Sequence, residues 1–145
     1  MRKLISLLLA LGVLSACANN SAATKSAPVA PKATAIGNGR TIFLTGKDSQ
    51  GFRINAQHPP LRASCAACHG ANGAGGVHLP GGAVSADLRQ KALASVKPAY
   101  TLQSLERAIS TGVNNQGKPL NPVMPRWRMT PRDLHDVAEF VQTLR

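Results

Sequence analysis

Residues 65–69 read Cys-Ala-Ala-Cys-His, two thiols and an imidazole within five positions. A structural zinc site would want a fourth ligand, usually from a second Cys/His pair, and there is no second C-x-x-C. A redox dithiol would want a βαβ context, whereas the flanks here are rich in glycine and loop-forming residues. The histidine directly after the second cysteine fits a third chemistry, because C-x-x-C-H is the attachment signature of c-type haem. Two thiols at this spacing reach the two vinyl groups on one side of a porphyrin and form thioethers. The next side chain then points to the iron as its proximal ligand. Cys65 and Cys68 are the expected attachment residues, His69 the expected axial ligand, and one covalent haem c the expected cofactor.

The other axial position needs a second ligand, and two methionines lie five residues apart in "PVMPRWRMTPRDL", 122–134. A thioether is a soft ligand and also ordinary core filling. Met124 precedes Pro125, which pushes it to extended geometry and lets it project from a stiff segment. Met129 precedes a helix start with Thr130 as N-cap, Pro131 at the first position and Asp133 in the first turn. There it can pack on Leu134 as a hydrophobic staple. Met124 is therefore the expected sixth ligand, paired with histidine as in electron-transfer haem proteins. His58, His78 and His135 are weighed against it and expected at the surface. Trp127 is expected in the haem pocket, its indole N–H within reach of a propionate. Arg126 and Arg128 either pair with propionates or stand solvated.

Helices must position these groups. In 101–111, Leu102, Leu105, Ala108 and Ile109 share one helical face, and Gly112 is a natural stop. Leu134, Val137, Ala138, Val141 and Leu144 form a second stripe. Between them "GVNNQGKPLNPVMPRWRM" is polar and turn-rich, hence a loop. The 145 residues hold only five aromatics, three Phe, one Tyr and one Trp, a thin supply for one domain's core. That hints at an interior filled partly by something other than side chains.

The beginning of the chain speaks for export. Arg2 and Lys3 precede an apolar run from Leu4 to Leu14, followed by small residues, the layout of a secretory signal and too short to span a bilayer. "LSAC" at 14–17 resembles a bacterial lipobox, with Cys17 lipidated as the first mature residue; the alternative is that Ala16 and Ala18 form an ordinary A-x-A cleavage site, which discards Cys17 and leaves the domain soluble in the periplasm. Several acyl chains would anchor firmly where one holds marginally. Residues 18–35 are dominated by Ala, Ser, Thr, Pro and Lys and read as a flexible tether. The expected division is 1–16 signal peptide, 17–35 lipidated cysteine and tether, and 36–145 the domain.

"GNGRTIF" at 37–43, "CAACHGANGAGG" at 65–76, "LERAISTGVNNQGKPLNPVMPRWRM" at 105–129 and the terminal "DLHDVAEFVQTLR" resemble the class I cytochromes c over nearly all of 37–145. The resemblance implies an all-α fold, three to five helices around one haem. It implies that the N-terminal helix crosses the last at Gly39, with Phe43 and Phe140 packed nearby. It implies that the carbonyl of Pro80 orients His69, and "MP" matches the distal-ligand motif at Met124. "GKDSQGFRINAQHPPLRAS", 46–64, is an insertion that departs from the simpler pattern. The implied function is a single-electron carrier, without bond-making catalysis or a small-molecule substrate. The alternative is a haem enzyme or gas or redox sensor with an open distal site, and a weaker one a subunit of a larger redox complex.

From residue 37 onward, 13 Lys and Arg face 6 Asp and Glu. In an exported haem protein this excess argues against nucleic acid and for an acidic redox partner or anionic lipid.

Overall fold

A computed structural model describes residues 31–57 and 63–145. The proposed signal segment, Cys17, most of the proposed tether and His58 lie outside the described residues. Among the described residues no helix is long and apolar enough to cross a membrane.

Five helices and a two-strand ribbon follow in the order α1 (Lys32–Thr45), β1 (Asn55–Ala56), α2 (Ala66–His69), α3 (Gln90–Ser95), α4 (Leu102–Thr111), β2 (Trp127–Arg128) and α5 (Pro131–Val141). A single 3₁₀ turn, Pro80–Gly82, lies between α2 and α3. The all-α architecture agrees with the sequence, although α1 begins at Lys32, inside the stretch read as tether.

The helix ends follow local chemistry. Thr101 caps α4 in a capping box with Ser104, and Gly112 closes the helix at φ 70°. Thr130 caps α5, its hydroxyl accepting from the Asp133 N–H at 3.1 Å, with Pro131 in the first turn. Leu105, Ala108 and Ile109 of α4 and Val137, Ala138 and Val141 of α5 are buried, as are Phe140 and the following Leu144.

The helix pair α1 and α5 is the frame of the domain. A Cβ at Gly39 would collide with the Asp136 carbonyl, so glycine permits the close crossing. Phe43 and Phe140 meet there with ring centroids 5.4 Å apart at 56°, a favourable tilted geometry. Asn38 adds a buried polar clamp absent from the sequence reading. Its amide donates to Asp133 at 2.9 Å and Asp136 at 2.8 Å, while its carbonyl oxygen accepts from the Ser49 N–H at 2.8 Å. Two buried carboxylates thereby receive donors, which an apolar crossing could not supply.

Candidate functional site

Helix α2 is a single turn, and its brevity suits its task. Cys65 stands at its N-cap in helical geometry, so Cys65, Cys68 and His69 occupy positions i, i+3 and i+4 on one face. The Cys68 and His69 amides both donate to the Cys65 carbonyl, at 3.1 and 2.8 Å. Ser64 accepts from the Ala67 N–H at 3.3 Å and holds the turn's entrance.

The next segment orients the imidazole. His69 Nδ1 lies 2.8 Å from the Ala86 carbonyl oxygen. A carbonyl only accepts, so Nδ1 carries the proton and Nε2 is left with its lone pair for a metal. Burial pushes the His69 pKa down, against the opposing pull of the Ala86 carbonyl, which favours the neutral ring that can ligate. The expected acceptor was Pro80, and the structure corrects it. Pro80 sits at the exposed far end of a hairpin whose return strand brings Ala86 back to His69. That hairpin is tied by Ser85, which donates to the Cys68 carbonyl at 2.7 Å and accepts from the Val77 N–H at 2.9 Å. Gly75, at φ 66°, lets the Ala86 carbonyl approach, because any Cβ there would overlap it.

Cys65, Cys68, His69, Met124, Pro125 and Trp127 line one cavity, enclosing about 990 Å³ out to its open mouth. Phe43, Ile109, Val137 and Val141 complete much of its apolar wall. Burial pushes the Cys65 thiol up to about 12, with Cys68 adding to the effect, so it stays a neutral thiol. Both cysteines are free. Met124 reaches the cavity from a turn in which its N–H donates to the Asn121 carbonyl at 3.1 Å and the Val123 N–H to Asn121 Oδ1 at 3.0 Å.

The sequence model of the cytochrome c family matches residues 38–145. The chain belongs to the cytochrome c family. Cytochrome c domains bind a covalent c-type haem, and Cys65 and Cys68 fit that attachment. The cavity suits such a group on its own terms, with two thiols, a neutral imidazole and a thioether set in an apolar lining. No curated protein and no solved structure matches the chain.

The remaining sequence expectations divide. Trp127 is 6 % exposed and lines the cavity. Arg126 is half-buried at the edge of the methionine loop. Its guanidinium donates to the carbonyls of Leu120 at 3.0 Å and Met124, with a longer contact to Asn121 at 3.4 Å. Arg128 is exposed and paired by backbone with Asn55, outside the cavity lining. His78 is exposed away from the cavity, and His135 Nδ1 lies 2.9 Å from Glu106. Met129 and Leu134 both pack against the core cluster, while Met129 is absent from the cavity wall.

Charge is distributed unevenly. Asp87 pairs with Arg89, Glu106 and Glu139 meet His135, Asp133 and Asp136 hold Asn38, and Asp48 accepts from the Gln50 and Phe52 N–H groups. Lys47 pairs across the hairpin with Arg53, and Asn55 with Arg128. Opposed residues and residues two apart share a face, so Lys47, Arg53 and Arg128 form one exposed basic face. Among the described residues no carboxylate pairs with them. Phe52 is also exposed, at 68 %.

Proposed function

We propose that this cytochrome c domain is a single-electron carrier with His69 and Met124 as axial ligands, tethered on the exported side of a membrane through a lipid on Cys17. The observation that carries the reading is that Met124 shares one apolar cavity with Cys65, Cys68 and His69. Haem-based electron transfer and protein redox partners belong to the family; the ligand pair and the anchor are particular to this proposal.

Haem supplies one-electron cycling between ferric and ferrous states. The residues set the conditions for it. Cys65 and Cys68 would hold the haem through their sulfurs, and His69 would present Nε2 to its iron while the Ala86 carbonyl fixes the ring. Met124 offers a soft thioether, a ligand that raises the potential by favouring the reduced state. The apolar wall keeps water out and lowers the polarity around the charge that changes. With His69 and Met124 both committed to the iron, the domain would offer no position for a substrate. The exposed face of Lys47, Arg53 and Arg128 supports docking to an acidic partner surface.

Carbon monoxide tests the reading. The reduced protein should keep its spectrum unchanged when exposed to the gas at neutral pH. Rapid binding would contradict the carrier and favour an enzyme or sensor with an open distal position.

A further inference from the structure

The segment inserted at 46–64 is described at 46–57 and 63–64, and its two ends meet. Gly46 is buried at φ 68°, and a Cβ there would strike the Ala63 carbonyl, so the chain leaves α1 and returns to Cys65 through one closed neck. The excursion is anchored on the frame at three points. The Gly46 N–H donates to Ile42 at 2.8 Å, Ile54 is buried in the core, and the Ser49 N–H donates to Asn38, whose amide also holds α5. From that base it projects β1 onto β2, pairing Ala56 with Trp127 and Asn55 with Arg128. Beyond the ribbon, the Gln57 N–H donates to the Arg126 carbonyl at 2.9 Å.

Arg126 is where this outer contact meets an inner one. Its side chain lies over Gly112 and collects the Leu120 and Met124 carbonyls, closing the loop that carries Met124. Its own carbonyl accepts from Gln57. One residue, two positions after Met124, thus joins the methionine loop to the anchored excursion.

We propose that residues 46–57 are a brace that holds Met124 in its ligating position, with Gln57 and Arg126 as positioning residues. The inference rests on the reading of Met124 as the sixth ligand. A thioether is a weak ligand, and its retention against a competing one depends on how firmly its segment is already placed. Loop 113–126 is unevenly held. Its first part is tied outside itself, Asn114 accepting from Arg107 at 3.0 Å and Gln116 donating to Lys97 at 2.9 Å. Among the described residues, the part that carries Met124 is held only by the Leu120 N–H to Gly112 at 2.7 Å and by Arg126, so a further tie there has a large effect on where Met124 stands. Substituting proline at residue 57 deletes the one donated hydrogen without touching the cavity.

The test uses the haem-loaded protein and imidazole as the competing ligand, with displacement of methionine followed by loss of the Met–Fe(III) charge-transfer band. A backbone hydrogen bond contributes a net factor of about three to ten in equilibrium. Gln57→Pro should therefore be displaced at about three- to tenfold lower imidazole, while Gln57→Ala, which keeps the N–H, should titrate like the wild type. Equal titrations for all three proteins overturn the brace. If the proline variant does not fold, hydrogen exchange on the wild type decides. Saturating imidazole should strip protection from the Gln57 amide and leave Val137 in α5 protected. Unchanged protection at Gln57 overturns the proposal. A wild type lacking the band, or Met124→Ala retaining it, overturns the ligand reading itself and the brace with it. That result is read on different proteins from the Gln57 comparison.

Discussion

The ring of His69 is held by Ala86, 17 residues away, through a 2.8 Å bond from Nδ1 to a backbone carbonyl. The approach depends on Gly75, whose φ of 66° and missing Cβ leave room for that carbonyl. Gly75→Ala should destabilise the domain by at least about 1–2 kcal/mol from the left-handed backbone alone. Displacing the Ala86 carbonyl also weakens a bond that makes the imidazole more basic and so favours oxidised iron. The reduction potential should rise, and potentiometric titration beside denaturant unfolding measures both effects.

This bond also marks the limit of what sequence could reveal. A carbonyl acceptor has no side-chain signature, so a proline suggested by resemblance was indistinguishable from Ala86 until the hairpin's return was placed. The backbone partners of Arg126 were invisible for a related reason: they are carbonyl oxygens of its own loop, which carry no side-chain signature. The β1·β2 ribbon spans two residues per strand, too short to leave any alternation. By contrast, Thr101, Gly112, Thr130 and Pro131 act through their nearest neighbours, so both helix boundaries were legible. The two apolar stripes were legible because burial imposes a periodicity, whereas the Gly39, Phe43 and Phe140 crossing came only from the resemblance. Asn38 was not, since its carboxylate partners lie 95 and 98 residues away.

The Asp87–Arg89 pair predicts a small acid dependence. Hydrogen bonds from the Arg89 side chain, at 3.0 and 2.6 Å, together with its N–H hold the Asp87 carboxyl down to about 2 from its ordinary 3.8. A carboxyl with a depressed folded-state pKa contributes stability that is complete above the unfolded value and is lost as pH falls through the folded one. The contribution should therefore be intact above about pH 4 and vanish by about pH 2. Denaturant unfolding of wild type and Asp87→Asn across that range should show curves that differ at neutral pH and merge at the acid end. The exposed setting keeps the difference small.

The basic face of Lys47, Arg53 and Arg128 predicts a salt response. Electron exchange with an acidic redox protein should slow as ionic strength rises from low to moderate, because screening shortens the reach of exposed charges to about 10 Å at 0.1 M. Arg53→Glu should slow exchange further and flatten the dependence. Stopped-flow rates that are independent of salt would remove steering from the account.

The central claim concerns Met124, and Met129 is its natural control. Met129 packs against the core where α5 begins, so Met129→Ala should lower stability by about 1–2 kcal/mol, less than a fully buried methionine. Met124→Ala should instead change the iron's ligation. The direct measurement is the absorption spectrum of the two oxidised, haem-loaded variants, recorded together in the region of the Met–Fe(III) charge-transfer band. The account predicts that the band disappears in Met124→Ala and persists in Met129→Ala. Persistence in the first and loss in the second would contradict it.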